Sequence, residues 1–448
     1  QADARSTLGH NLLDLQRFDE AESQFLAALA LFGEIGDARG QADVLGMLAT
    51  LRMERGEPDA AAHDYARAIE ISRSIGWRSG EAVFHMNLGI LEAIRSRIGA
   101  ARDAFQEAAA IYASMDNGRG RAMVLANAAW LNHQYLGDSR TAEDQAVESL
   151  SFYISIGEER GEAQCRSTLA AIAASRGKLD EALGLFDEAT AITRRVEDAW
   201  LTAQILLHRA SAELAQGRGE HAATHLAEAL DLCHRAGMDD LAVSVRAAYG
   251  RALLDSGRAD ESDTMTAEAQ AALRPGIDQG YLVPFARAEV LRALGRDDEA
   301  DAPLEHSHRL LIAMRETLDP ADRERARNLV PAHARIIEAW ERRRPRVETA
   351  RIAATGAPAG RPLGEADHVE VRWTVATPAD ERIDDRIERR RARLERLATE
   401  AAAQGGAPTV DDLAAALGAS VATIRRDLAA LRAAGYPVET RGARRPKS

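Results

Sequence analysis

The chain has 448 residues, 46% hydrophobic and 4% aromatic, with a formal net charge of −13. That length holds two or three domains with ample core, and the hydrophobic fraction excludes a disordered chain. No apolar run reaches 18 residues and no signal segment opens the chain, while two distant cysteines, Cys165 and Cys233, exclude a secreted disulfide scaffold; a membrane protein is excluded and a cytoplasmic one expected.

Residues 1–315 repeat with a period of 40. Ala21, Ala61, Ala101, Ala142, Ala182, Ala222, Ser262 and Ala300 lie 40, 40, 41, 40, 40, 40 and 38 residues apart. Gly9, Ala49, Gly89, Ala129, Ala170, Ala210, Gly250 and Ala288 form a second small column about twelve residues earlier. Ala28, Ala68, Ala108, Ser149, Ala189, Ala229, Ala269 and Ser307 form a third, about seven residues later. Small residues are needed where two helix backbones approach closely. Apolar residues at i, i+3, i+4 and i+7 between the columns, such as Phe25, Ala28, Leu29 and Phe32, predict paired amphipathic helices. Gly56, Gly137, Gly177, Gly217, Gly257 and Gly295 mark the turn inside each pair. The endings Gly36-Asp-Ala-Arg-Gly40, Gly76-Trp-Arg-Ser-Gly80, Asp116-Asn-Gly-Arg-Gly120 and Gly157-Glu-Glu-Arg-Gly161 predict left-handed glycine stops to the second helix.

Three columns in register over eight units resemble the tetratricopeptide repeat in its 40-residue form. The resemblance implies an α-α superhelix whose first helices line a concave groove that holds a protein or peptide. On that basis His10, Thr50, Asn87, Asn127, Trp130, His133, Gln134, Gln164 and Arg251 are candidate groove residues. Trp130 is the strongest anchor, with packing between repeats as its competing reading.

Residues 305–340 continue helical and cap the solenoid, giving a first domain over 1–340. Residues 341–379 read as a Pro/Gly linker, with Pro345, Gly356, Pro358, Gly360, Pro362 and Gly364, that holds one strand over 368–376. That strand pairs either with a terminal wing or with a part of the protein outside this sequence.

The third domain, 380–448, is basic. Residues 386–448 carry 13 Lys+Arg against 7 Asp+Glu, a net of +6, which leaves −19 for residues 1–385. A helix is expected from Asp380 to Ala403, with Ile383, Ile387, Leu394, Leu397 and Ala401 on one face, as a packing helix or a short dimerising coiled coil. Thr409-Val-Asp-Asp412 is a capping box, Gly418 sits in a tight turn, and Ser420 caps a helix running from Val421 to Ala433. Ile424, Leu428 and Leu431 face inward, leaving Thr423, Arg425 and Arg426 outside; Asp427 is expected to hold an arginine or the helix start. Tyr436 to Gly442 can form a wing.

The run Thr409-Val…Leu413-Ala…Leu417-Gly-Ala-Ser420…Thr423-Ile-Arg-Arg-Asp-Leu428…Gly435…Thr440-Arg-Gly442 resembles the DeoR-type winged helix-turn-helix. The resemblance implies that Thr423, Arg425 and Arg426 meet bases or phosphates of double-stranded DNA and that Ser420 meets a phosphate. Arg441 of the wing and Arg444 and Arg445 of the tail would add backbone contacts. In that family the module is N-terminal and precedes a sugar-phosphate domain, which is missing here, so the family's effectors do not carry over.

The fold class is therefore all-α, a tetratricopeptide-like superhelix followed by a small winged helix-turn-helix. No phosphate loop, zinc-protease motif or nucleophile–base pairing appears, so neither an enzyme nor a cofactor is expected. His221 and His225 share a helix face near Cys233 and His234, but they read as surface histidines rather than metal ligands. The function expected is a DNA-binding transcriptional regulator, with a protein-docking scaffold as the alternative and a homodimer as one assembly. Repeat pattern is already under way at Gln1, and the architecture resembles the C-terminal half of large regulatory ATPases of the STAND type; a nucleotide-hydrolysing domain upstream is expected on that likeness.

Overall fold

The computed structural model describes residues 1–342, 345–358, 361–377, 379–380, 383, 385–436 and 438–441. The chain divides into two compact units, Gln1–Ile336 and Ile337–Ser448.

The first unit is a solenoid of eight antiparallel helical hairpins. In order they are α1 (Ala2–Asp14) with α2 (Phe18–Ile35), α3 (Ala38–Glu54) with α4 (Pro58–Ser74), and α5 (Arg78–Ile94) with α6 (Ile98–Ser114). Then come α7 (Gly118–Gln134) with α8 (Ser139–Ile156), α9 (Glu159–Ser175) with α10 (Leu179–Arg195), and α11 (Ala199–Ala215) with α12 (Gly219–Ala236). The last two are α13 (Asp239–Asp255) with α14 (Ala259–Ala271), and α15 (Leu282–Ala293) with α16 (Asp297–Glu316). Two short helices follow, α17 (Pro320–Leu329) and α18 (Pro331–Glu341).

The small columns lie where the hairpins close. Ala21, Ala61, Ala101, Ala142, Ala182, Ala222, Ser262 and Ala300 are all fully buried. At Gly89 the second helix comes closer still: a Cβ there would stand 2.6 Å from the Phe105 ring. The paired glycines of the repeat endings have two separate jobs. Gly36 and Gly157 take left-handed φ values of 72° and 66° and end α2 and α8. Gly120 instead lies inside α7, where a Cβ would stand 2.4 Å from the Tyr112 ring of the preceding helix.

The superhelix is tightly wound and meets itself. Alternate first helices touch, α7 with α9 and α9 with α11. The α14–α15 connection reaches Tyr135 at the end of α7, and residues 317–329 lie against the starts of α6 and α8.

In the second unit the stretch read as a linker is a hairpin instead. β1 (Arg346–Ala353) pairs antiparallel with β2 (His368–Ala376), Ala350 facing Val371 and Ile352 facing Val369. The alternation in β2 was legible; β1, Arg-Val-Glu-Thr-Ala-Arg-Ile-Ala, carries few large apolar residues and hid beside the Pro/Gly loop. Three helices follow: α19 (Arg386–Ala403), α20 (Val410–Leu417) and α21 (Val421–Ala433). They share one core with the hairpin, built around Ile352, Val371, Trp373, Leu397, Leu413 and Leu428. The outer edge of β2 is occupied by α19: Gln404 bonds the Arg372 N–H and C=O at 2.8 and 2.9 Å, and Glu400 accepts from the Thr374 N–H at 2.7 Å.

Two further expectations are corrected here. The first helix begins at Arg386 rather than Asp380, because Asp385 caps it, accepting from the Ile387 and Glu388 N–H groups. The expected wing over Tyr436 to Gly442 contains no strand among its described residues. Arg432 takes the Val438 carbonyl at 3.0 Å and the Thr440 hydroxyl at 2.8 Å, so this segment is tied back to α21. Arg444, Arg445 and Gly442 lie outside the described residues.

Candidate functional site

The candidate groove residues are spread along the first helices. His10 is exposed on α1, beside Asp14, and Asn87 and Gln134 are half-buried on α5 and α7. Asn127 accepts from Gln164 of the next repeat at 3.1 Å. Thr50 bonds the Tyr65 hydroxyl at 3.1 Å. Arg251 meets Glu289 at 3.0 Å, and Glu289 also holds Arg335.

Around Trp130 the inner face is filled by protein. The indole stacks on His208 of α11, two repeats on, and Ser167 of the intervening α9 bonds the same imidazole at 3.2 Å. His133 bonds Ser139 at 3.0 Å. Burial pushes His133 down to about 4 and His208 down to about 3, so both rings are neutral at physiological pH. His208 was missed from sequence, because a lone histidine in a helix-A face carries no periodic signal.

A cavity of about 250 Å³ lies between α6, α7, α8 and α17, with Arg102, Gln106, Asn132, Gln145, Asp322 and Arg325 in its wall. Among the described residues no group of three or more His, Cys, Asp or Glu side chains could hold a metal. His225 bonds Glu213 at 2.9 Å, and Cys165 and Cys233 are buried thiols that burial pushes up to about 11.

In the second unit the capping box forms as its spacing requires: the Asp412 N–H donates to Thr409 at 3.1 Å and the Thr409 N–H to Asp412 at 2.7 Å. Gly418 takes φ 58°, and Ser420 accepts from the Thr423 N–H at 3.2 Å. Ile424, Asp427 and Leu428 are buried, which leaves Arg425 and Arg426 exposed on the opposite side of α21. Four arginines of α19 are used internally. Arg390 and Arg391 meet buried Asp427 at 2.5 and 3.3 Å, and Arg393 and Arg396 meet buried Asp380 at 3.0 and 2.6 Å. Among the described residues Arg425 and Arg426 make no such pair. Arg441 donates to the Pro358 carbonyl at 2.8 Å, so its side chain is turned into the unit.

Comparison with known proteins agrees with this division. The tetratricopeptide repeat models match residues 1–74 and 163–198, and a family described as a protein of unknown function, DUF1670, matches residues 327–445. No curated protein matches. A Rap protein complexed with competence and sporulation factor is similar over 75% of this chain and 98% of its own, at 14% identity and a TM-score of 0.51. NprR in complex with its cognate peptide NprX is similar over 73% and 97%, at 13% identity and a TM-score of 0.50. A STAND protein with a tetratricopeptide repeat sensor from Pyrococcus horikoshii is similar over 70% of this chain and 48% of its own, at 13% identity and a TM-score of 0.43. Among the described residues no helix is long and apolar enough to cross a membrane. The chain thus carries tetratricopeptide repeats folded as a tetratricopeptide-like solenoid, followed by a segment matching a family of unknown function.

Proposed function

We propose that this protein is a non-enzymatic transcriptional regulator whose solenoid takes a peptide or protein and whose C-terminal unit binds double-stranded DNA through α21. The observation that carries the DNA half is the contrast among arginines. Four on α19 are neutralised by buried aspartates, whereas Arg425 and Arg426 stand exposed one turn beyond the Ser420 cap. Guanidinium groups so placed suit guanine edges and phosphates, and Ser420 and Thr423 at the helix start suit a phosphate. The peptide half draws on likeness of fold to the Rap protein complexed with competence and sporulation factor and to NprR in complex with its cognate peptide NprX. Asn87 and Gln134 are the polar groups we assign to that partner, since Trp130, His133, Asn127 and Arg251 are engaged within the solenoid.

The test is fluorescence anisotropy of the full chain with mixed duplex DNA across a salt series. Binding that weakens steeply with salt and is lost in R425E/R426E supports the regulator. No binding at low salt would overturn it and leave the protein-docking scaffold, for which the groove residues alone would matter.

A further inference from the structure

The repeat departs from its own pattern in four places within its third and fourth units. Two residues before each small residue of the second-helix column stands an acid: Asp19, Asp59, Asp180, Glu220, Asp260 and Asp298. The exceptions are Gly99 and Arg140. One residue after the same column the chain has Glu22, Ala62, Glu143, Leu183, Ala223, Asp263 and Asp301, and a base only at Arg102. The fourth unit also has one extra residue between its first two small columns, Ala129 to Ala142, where the others keep a constant spacing.

Three of the four, all but the exposed Arg140, lie where the superhelix meets itself. A Cβ on Gly99 would stand 2.7 Å from the Thr317 carbonyl oxygen, so the acid found at this position in six of the repeats could not fit there. Arg102 bonds Asp322, a side chain only 4% exposed, and lies 3.5 Å from Asp319; an acid at 102 would repel both. Arg325 reaches the same Asp322 at 2.7 Å and Asp138 at 3.6 Å. The extra residue of the fourth unit lies in the turn after α7, which spans residues 135–138, and there Tyr135 donates its hydroxyl to Asp278 and accepts from the Gln279 N–H at 3.3 Å. Asp278 and Gln279 belong to the α14–α15 connection, whose Ile277 is buried against Val243, Ala247 and Val283. That connection is itself a departure, since earlier repeats pass from second to first helix in a short turn.

We infer that this seam is a built clasp: two separate contacts, Tyr135 with residues 278–279 and residues 96–102 with 317–322, hold the superhelix closed. The solenoid can extend only when both part. A simple crossing of two surfaces would need no change in the repeat. Here glycine replaces acid, arginine replaces acid or apolar residues, and the turn after α7 is lengthened, each at a point of contact. Release of the clasp when a peptide enters the solenoid is the use we assign to it, and that use rests on the peptide reading above; the clasp itself does not.

The experiment is hydrogen exchange of the full chain without any partner, with small-angle scattering alongside. Tyr135→Phe removes one oxygen and leaves the ring. Gly99→Asp gives the third repeat the acid found in six of the other repeats, so α6 itself is expected to fold. Each variant is expected to raise exchange about tenfold or more at both contacts, in 273–281 and in 317–329, because a donor or a close approach is lost at a buried joint. Protection in α9–α12 and the helical circular dichroism stay as in the parent, and the radius of gyration rises. Exchange that rises only beside the substituted residue, or at neither contact, would overturn the clasp. A Gly99→Asp chain that fails to fold leaves Tyr135→Phe to decide on the same readout. Peptide binding plays no part in these measurements, so failure of the peptide reading and failure of the clasp are distinguishable.

Discussion

Trp130 of α7 lies on the imidazole of His208 of α11, two repeats later, with ring centroids 4.0 Å apart and planes 25° from parallel. Offset stacking of this kind adds about 0.5–1.5 kcal/mol beyond the area it buries. Trp130→Ala is expected to lower unfolding free energy by about 2 kcal/mol, less than a fully buried tryptophan would cost. His208, freed from the ring, should titrate closer to an ordinary histidine. Urea unfolding and NMR titration of the imidazole check this, and unchanged values for both would show the stack to be incidental.

Burial lowers His133 to about 4, and His208 and His333 to about 3. The unfolded chain therefore takes up protons first as pH falls through about 6.5. The sign follows: the native state loses stability from pH 6.5 downward, by up to about 1.4 kcal/mol per pH unit for each histidine, until the folded values are reached. Urea midpoints should be level from pH 8 to 7 and drop between 6.5 and 4, with a shallower drop in His333→Phe. A level profile across that window would rule the histidines out as its source.

Two glycines on helices should respond in opposite ways to the same change. Gly89→Ala places a methyl 2.6 Å from the Phe105 ring and is expected to cost about 1–3 kcal/mol. Gly184, in the middle of α10, has nothing within 4 Å of an added Cβ, so Gly184→Ala should stabilise by roughly 0.5–1 kcal/mol. Thermal midpoints of the two variants, moving apart around the parent, are the check; movement in one direction would contradict the packing described.

The C-terminal unit needs its hairpin. Ile352, Val371, Trp373 and Val375 share a core with all three helices, so a chain starting at residue 337 should unfold cooperatively. A chain starting at 380 loses those side chains and should show weak tertiary signal by near-ultraviolet circular dichroism. Equal cooperativity in both would mean that the helices alone make the unit.

Much of the solenoid was legible because its information is local and repeated. Periodicity of 3.6 and small residues at fixed offsets recur eight times and glycine at the turn six times, and the small columns are imposed by the close approach of adjacent helices. In the second unit the capping box, Gly418 and Ser420 were legible for the same reason, since a cap involves residues three apart. What each helix face meets was not. Trp130 reads equally as an anchor or as packing until α11 supplies His208, and Arg441 reads as a wing contact until Pro358 supplies its acceptor.

The sequence by itself determined the helical hairpins, their number and the chemistry of α21, because these depend on neighbours a few residues apart. Only the tertiary structure decided that β2 pairs with β1, that four arginines of α19 are neutralised by Asp380 and Asp427, and that repeats three and four meet residues 278–329. The physical reason is distance along the chain. Tyr135 and Asp278 are 143 residues apart, and the small rotation from each repeat to the next, summed over the array, decides whether they meet.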